Sequence, residues 1–395
     1  MAGPHRLVSA ARHALAAVFA DLPIGSPVLL AVSGGPDSLA LAASACYAAR
    51  ERAIRLYSLT VDHGIRPESA AEAAAVCQQL RAWGIEADIA KVQLGVGDGP
   101  EGEARSARYA ALAERAEQIG VVQNDGNRQP ALVLLGHSAN DQAETVLLGF
   151  GRGAGARSVS GMPFRGSLPL HSEVPMCRPF LEFTRAEIEK ICTELHLQPV
   201  EDPSNKPSGP WKTADGSPLR RSALRYQAIP VLEEILGPGL VPALARTAKL
   251  LQADEEMLSG QAEKILLQLL AKPDNVPSEP DNVLSEPDNL PATSSESLAA
   301  PDNLSIVLDS SLPAMAGKEI IFSCADLAVY PLALRRRVLR LAFLAAGGRG
   351  GELVYSHLAE LDKLVLGREN KIGIDLPGVK AWRDKNSLSF TPQSK

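Results

Sequence analysis

Ser33-Gly34-Gly35-Pro36-Asp37-Ser38 gathers two glycines, two hydroxyls and a carboxylate into six residues. Glycines let a backbone pass close to an anion without interference from Cβ. A helix beginning there adds free N–H groups and the positive end of its dipole. Ser33 and Ser38 add hydroxyl donors. Asp37 sharpens the reading, because a carboxylate beside phosphates is repulsive unless a cation lies between them. That points to Mg²⁺ held jointly by Asp37 and phosphate oxygens. No lysine follows the glycines, so this is not the G-x-x-x-x-G-K-[ST] loop of γ-phosphate transfer. Further on, His137, Asp141 and Glu144 are spaced i, i+4 and i+7, the spacing of one helical face. Two acids facing a cleft can hold an ammonium group or a cation; a solvated first turn is the plainer alternative. Arg105 can offset phosphate charge, bind a carboxylate, or pair with Glu101 or Glu103 at the surface. Asp62 and His63 end an apolar run, where a polar cap is as natural as a cofactor contact.

Positioning these groups requires a layered frame. Strands are read over 28–32, 54–61, 85–92 and 131–135, with helices over 37–50, 67–83, 103–119, 140–150 and 184–195 between and after them. Thr184 and Glu187 have capping-box spacing. Strands alternating with crossover helices predict an α/β fold with a doubly wound, mostly parallel sheet, whose ligands sit at the carboxyl ends of the strands. Leu7, Ala11, Leu15 and Val18 give the N-terminal segment helical periodicity, preferred here over a short signal sequence. From 219 the pattern turns helical, over 219–236 and 241–270. A seven-residue repeat follows, PDNVPSE at 273–279, PDNVLSE at 280–286 and PDNLPAT at 287–293, with a further PDNL at 301–304. Proline in every unit defeats a coiled coil, and the segment reads as a disordered acidic insert. The expected division is 1–218 catalytic, 219–271 helical linker and start of a substrate-binding domain, 272–304 insert, and 305–395 the rest of that domain.

The net charge is −6, but residues 273–304 carry seven acids and no base, so the folded remainder is close to neutral. That excludes a simple polybasic nucleic-acid binder while leaving room for local basic patches. Residues 305–395 hold 13 basic and 9 acidic residues. There Arg335 and Arg336 are expected to project from a helix whose apolar stripe is Leu334, Val338 and Leu341. The five cysteines include no C-x-x-C pair, which argues against zinc, iron–sulfur or disulfide frameworks and fits a reducing cytoplasm. No apolar run approaches the ~20 residues that span a bilayer, so no membrane partner is expected.

The S-G-G-x-D-S loop resembles that of the N-type ATP pyrophosphatases (the PP-loop superfamily). With it stand four further segments, in order: Val61-Asp62-His63-Gly64-Ile65-Arg66-Pro67; Glu103-Ala104-Arg105-Ser106-Ala107-Arg108-Tyr109; Gly136-His137-Ser138-Ala139-Asn140-Asp141-Gln142-Ala143-Glu144; and Glu201-Asp202-Pro203-Ser204-Asn205 ahead of Arg221-Ser222-Ala223-Leu224-Arg225. The ordered set is similar to the tRNA(Ile)-lysidine synthase family over about 28–230. Ser138 and Asn140 stand where that family usually has His and Asp, and R-S-A-L-R stands for R-N-R-I-R.

The resemblance implies an enzyme that uses ATP and Mg²⁺ to adenylate the wobble cytidine of an isoleucine tRNA with a CAU anticodon. Free L-lysine then displaces AMP. Ser33, Gly34, Gly35, Pro36, Asp37, Ser38, Asp62 and His63 would hold the nucleotide, with Asp37 on the metal. Asp37, Arg105, His137, Asp141 and Glu144 would serve the chemistry, Asp141 being the first candidate to position the lysine amine. Arg221, Arg225, Arg335 and Arg336 would contact tRNA, and a mainly helical region would follow the catalytic sheet. A tRNA thiolase, a small-molecule amide synthetase and a non-catalytic nucleotide sensor share the loop and stay open as alternatives. A homodimer is compatible with the sequence.

Overall fold

The computed structural model describes residues 3–64, 67–92, 99–123, 126–152, 155–200, 209, 217–271, 317–350, 352–368 and 371–393, without the side chains of 99–101 and 152. The acidic repeat and the Glu201–Asn205 segment lie outside the described residues. The described residues fall into two compact units, Met1–Gln252 and Ala253–Lys395.

In the first unit the order is α1 (Arg6–Ala20), β1 (Pro27–Ala31), α2 (Pro36–Ala48), β2 (Arg55–Asp62), α3 (Ser69–Ala82), β3 (Glu86–Lys91) and α4 (Gly99–Ile119). A short hairpin, β4 (Val121–Val122) and β5 (Arg128–Gln129), leads to β6 (Leu132–Leu135) and α5 (Ala139–Arg152). Then come α6 (Ala156–Val159), β7 (Arg165–Leu168), β8 (His171–Cys177) and α7 (Arg185–Glu194). After the undescribed stretch, α8 (Arg220–Ala223) runs through a π-helical turn at Leu224–Ala228 into α9 (Ile229–Leu236). The helix expected over 219–236 is therefore interrupted just before Pro230, whose missing N–H and ring disfavour a regular α ladder. α10 (Leu240–Ala271) crosses the boundary between the units.

The sheet has six strands in the order β3-β2-β1-β6-β8-β7, parallel except for β7 against β8. This is the doubly wound, mostly parallel architecture the sequence predicts. The strands β7 and β8 are the part that periodicity misses, because His171–Cys177 contains Pro175 and two exposed polar positions. β1 is buried along nearly its whole length, and α2 buries Leu39, Ala40, Leu41, Ala42 and Ala45. An alanine-rich helix apolar nearly all round belongs in an interior. α1, α2, α3 and α7 build one core cluster on the sheet, and α4 builds a second around Tyr109 and Leu112. Ala11, Leu15 and Val18 of α1 are buried in the first, as helical periodicity requires, whereas Leu7 is only partly buried and Val8 takes its place in the core.

The second unit adds α11 (Cys324–Ala328), α12 (Leu332–Ala345) and α13 (Tyr355–Leu366) to a four-stranded antiparallel sheet. Its strands are β9 (Ile320–Ser323), β10 (Ile372–Leu376), β11 (Val379–Asp384) and β12 (Ser387–Pro392), in the order β10-β11-β12-β9. The mainly helical expectation thus gains a sheet, and β11 shows its signature: Val379, Ala381 and Arg383 point inward while Lys380, Trp382 and Asp384 point out. Among the described residues no single helix is long and apolar enough to cross a membrane.

Candidate active site

β1 lies between β2 and β6, so the chain leaves it to one side while its other neighbour arrives later. Such a switch point opens a crevice at the carboxyl ends of the strands. Register makes the two loops there adjacent: Ala31 is opposite Leu135. The Ser33–Ser38 loop after β1 and the Gly136–Ser138 loop after β6 therefore emerge side by side. A Cβ on Gly136 would stand 3.2 Å from the Asp37 backbone, tight enough that a side chain there would push the loops apart by a few tenths of an ångström.

Gly34 has φ +87, and a Cβ there would meet Val76 at 2.6 Å. It packs against α3 and does not line the cavity. Gly35 is the N-cap of α2, with no side chain capping it, and Pro36 opens the first turn, where a missing N–H costs nothing. The Ser38 hydroxyl donates to the Gly35 carbonyl at 3.0 Å and accepts from the Ser33 N–H at 3.2 Å, which folds the loop on itself. Ser33, Gly35, Asp37 and Ser38 line a cavity of about 170 Å³, together with His137 and with Arg108 and Tyr109 of α4.

Asp37 lines this wall with its Oδ1 buried and without a hydrogen-bond partner among the described residues. Burial first, and the nearby Asp141 second, push its carboxyl up to about 6, against the pull of Arg185 and Arg225. An orphaned carboxylate oxygen beside serine hydroxyls and an uncapped helix start fits a hard divalent cation shared with phosphates. Among the described residues no cluster of three or more metal-ligating side chains exists.

The second group of predicted residues is brought together in an unexpected way. α5 begins at Ala139, so His137 precedes the helix and does not share a face with Asp141 and Glu144. The reason is a cap: Asp141 Oδ2 accepts from the Ser138 N–H at 2.8 Å and from its hydroxyl at 2.9 Å. Ser138 thus acts as a helix cap, and Asn140 accepts from the Arg185 N–H at 2.9 Å, tying the first turns of α5 and α7 together. Glu144 is fully buried. Arg225, from the π-helical turn, donates from Nε to Glu144 at 2.6 Å and from Nη2 to Asp141 at 2.9 Å. Arg221 stands 3.7 Å from the other Glu144 oxygen. Burial pushes the Glu144 carboxyl up while Arg225 opposes it, and Arg225 with the two hydrogen bonds from Ser138 counters burial to hold Asp141 down. The two arginines expected on tRNA are therefore engaged by the two acids expected on the amine.

Other expectations shift as well. Asp62 Oδ1 accepts from the Gly64 N–H at 2.9 Å and the Ser69 hydroxyl at 2.6 Å, which lowers its pKa and commits it to holding the loop into α3. Leu59 and Val61 of β2 reach the cavity wall, whereas Asp62 and His63 are not among its lining residues. Arg105 and Arg108 both lie over the Tyr109 ring, at 5.2 and 5.5 Å, but it is Arg108 that lines the cavity. In the second unit Arg335 does not project unpaired. Its Nε donates to Asp362 at 2.8 Å and its Nη1 to the Tyr330 carbonyl at 2.7 Å. The partner lies 27 residues away on α13, which sequence neighbourhood cannot reveal. Arg336 sits 4.9 Å from the centre of the Tyr355 ring.

Residues 9–231 match the PP-loop domain family, and residues 322–389 match the TilS substrate binding domain. The tRNA(Ile)-lysidine synthase of Thermobifida fusca is 36% identical over 97% of both chains. That of Streptomyces coelicolor is 36% identical over 90% of this chain and 82% of its own, and that of Leifsonia xyli 33% identical over 94% and 91%. With the phosphate loop, the switch-point cavity and near full-length similarity in agreement, the chain belongs to the tRNA(Ile)-lysidine synthase family.

Proposed function

We propose that this protein joins free lysine to C2 of the wobble cytidine of a CAU-anticodon isoleucine tRNA, using ATP and releasing AMP and pyrophosphate. The observation that carries the reading is the abutment of the Ser33–Ser38 loop on the His137–Asp141 segment at the switch point. It sets an anion cradle beside a buried acid pair in a chain of this family. In the first step the cytosine O2 attacks the α-phosphate of ATP and pyrophosphate leaves. The loop N–H groups and the hydroxyl of Ser33 receive the departing charge, Ser38 holding the loop in shape, and Arg108 faces the same cavity. Asp37 would hold Mg²⁺, which when bound supplies neutralisation of the phosphate charge.

In the second step the ε-amine of lysine attacks C2 and AMP leaves. The amine arrives as an ammonium and must pass its proton to a carboxylate or a water of the cleft before it attacks. Asp141 has one oxygen in the Ser138 cap and the other on Arg225. Glu144 keeps one oxygen, Oε2, without a hydrogen bond among the described residues. Glu144 therefore becomes the first candidate to hold the ammonium, with Asp141 keeping Arg225 in place. Cytosine presentation and tRNA grip belong to the second unit, in line with the 13 basic against 9 acidic residues of 305–395, and a single-stranded anticodon loop offers its bases unstacked.

The test is incubation with ATP, labelled lysine and bulk tRNA, or with tRNA omitted. Label entering tRNA only when ATP is present, and recovered as lysidine after nuclease digestion, is the expected outcome. Transfer to a small molecule without tRNA, or sulfur incorporation instead, would replace this reading with that of an amide synthetase or a thiolase.

A further inference from the structure

The steps above leave one buried cation without a task. Arg178 directly follows β8 and is 3% exposed. No carboxylate pairs with it among the described residues. Its Nη1 donates to the Pro163 carbonyl at 2.8 Å, and its Nε donates to Nδ1 of His137 at 3.1 Å. The register explains the meeting: Leu134 lies opposite Cys177, so Arg178 stands level with Leu135, just before the Gly136–His137 loop. Fixing a buried guanidinium on an imidazole rather than on an acid is an expensive arrangement unless it does something.

A guanidinium has hydrogens to give and no lone pair to accept with. Nδ1 of His137 must therefore be the bare nitrogen of the ring, and the ring proton must sit on Nε2. The groups that face this imidazole are Asp141 of α5, Arg105 and Arg108 of α4, and Arg178. Burial foremost, and the three arginines against the one acid, push His137 down to about 3. A neutral ring whose lone pair is already taken is neither a general acid nor a general base. What it offers is one N–H donor in the wall of the cavity that the phosphate loop also lines.

We infer that Arg178 is a positioning residue, which locks His137 as the neutral Nε2–H tautomer so that it donates a hydrogen bond to an anion in the cavity. The identity of that anion, a phosphate oxygen of ATP, rests on the adenylation reading; the tautomer does not. The role is distinct from plain structural support, because it predicts which ring nitrogen carries the proton.

Two measurements test it on the full chain. The first is the ¹⁵N spectrum of the seven histidines, with His137 assigned by its loss in His137→Gln. A pyridine-type Nδ1 and a pyrrole-type Nε2, unchanged from neutral pH down to about pH 5, are expected. The second is a double-mutant cycle on lysine transfer. Arg178→Lys keeps the charge but loses the planar fork. It is expected to lower turnover on the order of ten- to a hundredfold, the usual effect of removing a partner that orients an imidazole, with KM for lysine unchanged. In the His137→Gln background there is no tautomer to fix, and the same substitution is expected to cost less than about threefold. A proton on Nδ1, or an equal loss in both backgrounds, overturns the inference. Where Arg178→Lys does not fold, the nitrogen shifts of the unsubstituted protein decide alone. A protein with no tRNA-dependent lysine transfer would instead refute the adenylation reading, leaving the tautomer to be judged by those shifts.

Discussion

Asp37 and His137 face the same cavity and respond to acid in opposite directions. Burial raises the Asp37 carboxyl from 3.8 to about 6, so the folded protein takes up a proton there before the unfolded chain does. That adds stability as pH falls from about 6 to about 4. His137 is lowered from 6.5 to about 3, so the unfolded chain gains a proton the folded protein refuses, and stability drains away over the same interval. Each slope reaches about 1.4 kcal/mol per pH unit, and in metal-free buffer they nearly cancel. Asp37→Asn removes only the first. Urea titrations at pH 4 to 8 should show the variant losing stability relative to the parent on acidification, by up to about 3 kcal/mol, and no deficit near pH 8. Parallel curves would mean that Asp37 is not desolvated. Arg225 makes a second prediction. Arg225→Gln leaves Glu144 and Asp141 buried without their shared cation, and such orphaned charges cost about 3–5 kcal/mol. Its melting temperature should drop sharply at neutral pH and partly recover on acidification, as Glu144, whose pKa burial raises, takes up a proton. An undiminished melting temperature would show that the acids have another partner.

At the scale of elements, two neighbouring glycines have different duties. Gly34→Ala forces a left-handed conformation and a clash with Val76, whereas a Cβ on Gly35 meets only the Ser33 hydroxyl at 3.7 Å. Gly34→Ala should therefore lower thermal stability, and Gly35→Ala should spare it while weakening ATP binding, read by calorimetry in the presence of Mg²⁺. Equal melting losses would contradict this division. The phosphate loop was legible from the chain because its function needs contiguous residue types, and the parallel sheet because apolar runs alternate with helical periods. Arg178 was not legible, since it depends on β8, a strand broken in pattern by Pro175. Nor was the Arg225 bridge, because a π-helical turn shifts the phase on which helical spacing arguments rest. Ser138 and Asn140 read as losses from the family pattern and prove to be caps on α5 and α7.

The whole molecule has a separate core in each unit. In the second, Arg335 and Asp362 are both nearly buried and hold α12 to α13. Arg335→Ala should therefore lower the stability of that unit by several kcal/mol, as removing one partner of a buried pair does. Calorimetric scans should show this as a lowered transition that ATP does not restore, with cavity-side nucleotide affinity unchanged. Loss of tRNA binding with an unaltered melt would instead mark Arg335 as a contact. In the first unit, the approach of Gly136 to the Asp37 backbone has a mechanical corollary. A joint with no slack passes displacement on in full. Spreading the β1–β6 seam from within the core, even at Val133 or Leu29 well below the cavity, would detune the grip on the nucleotide before it unfolded anything. Errors of packing deep in the sheet would then surface as errors of affinity at its rim.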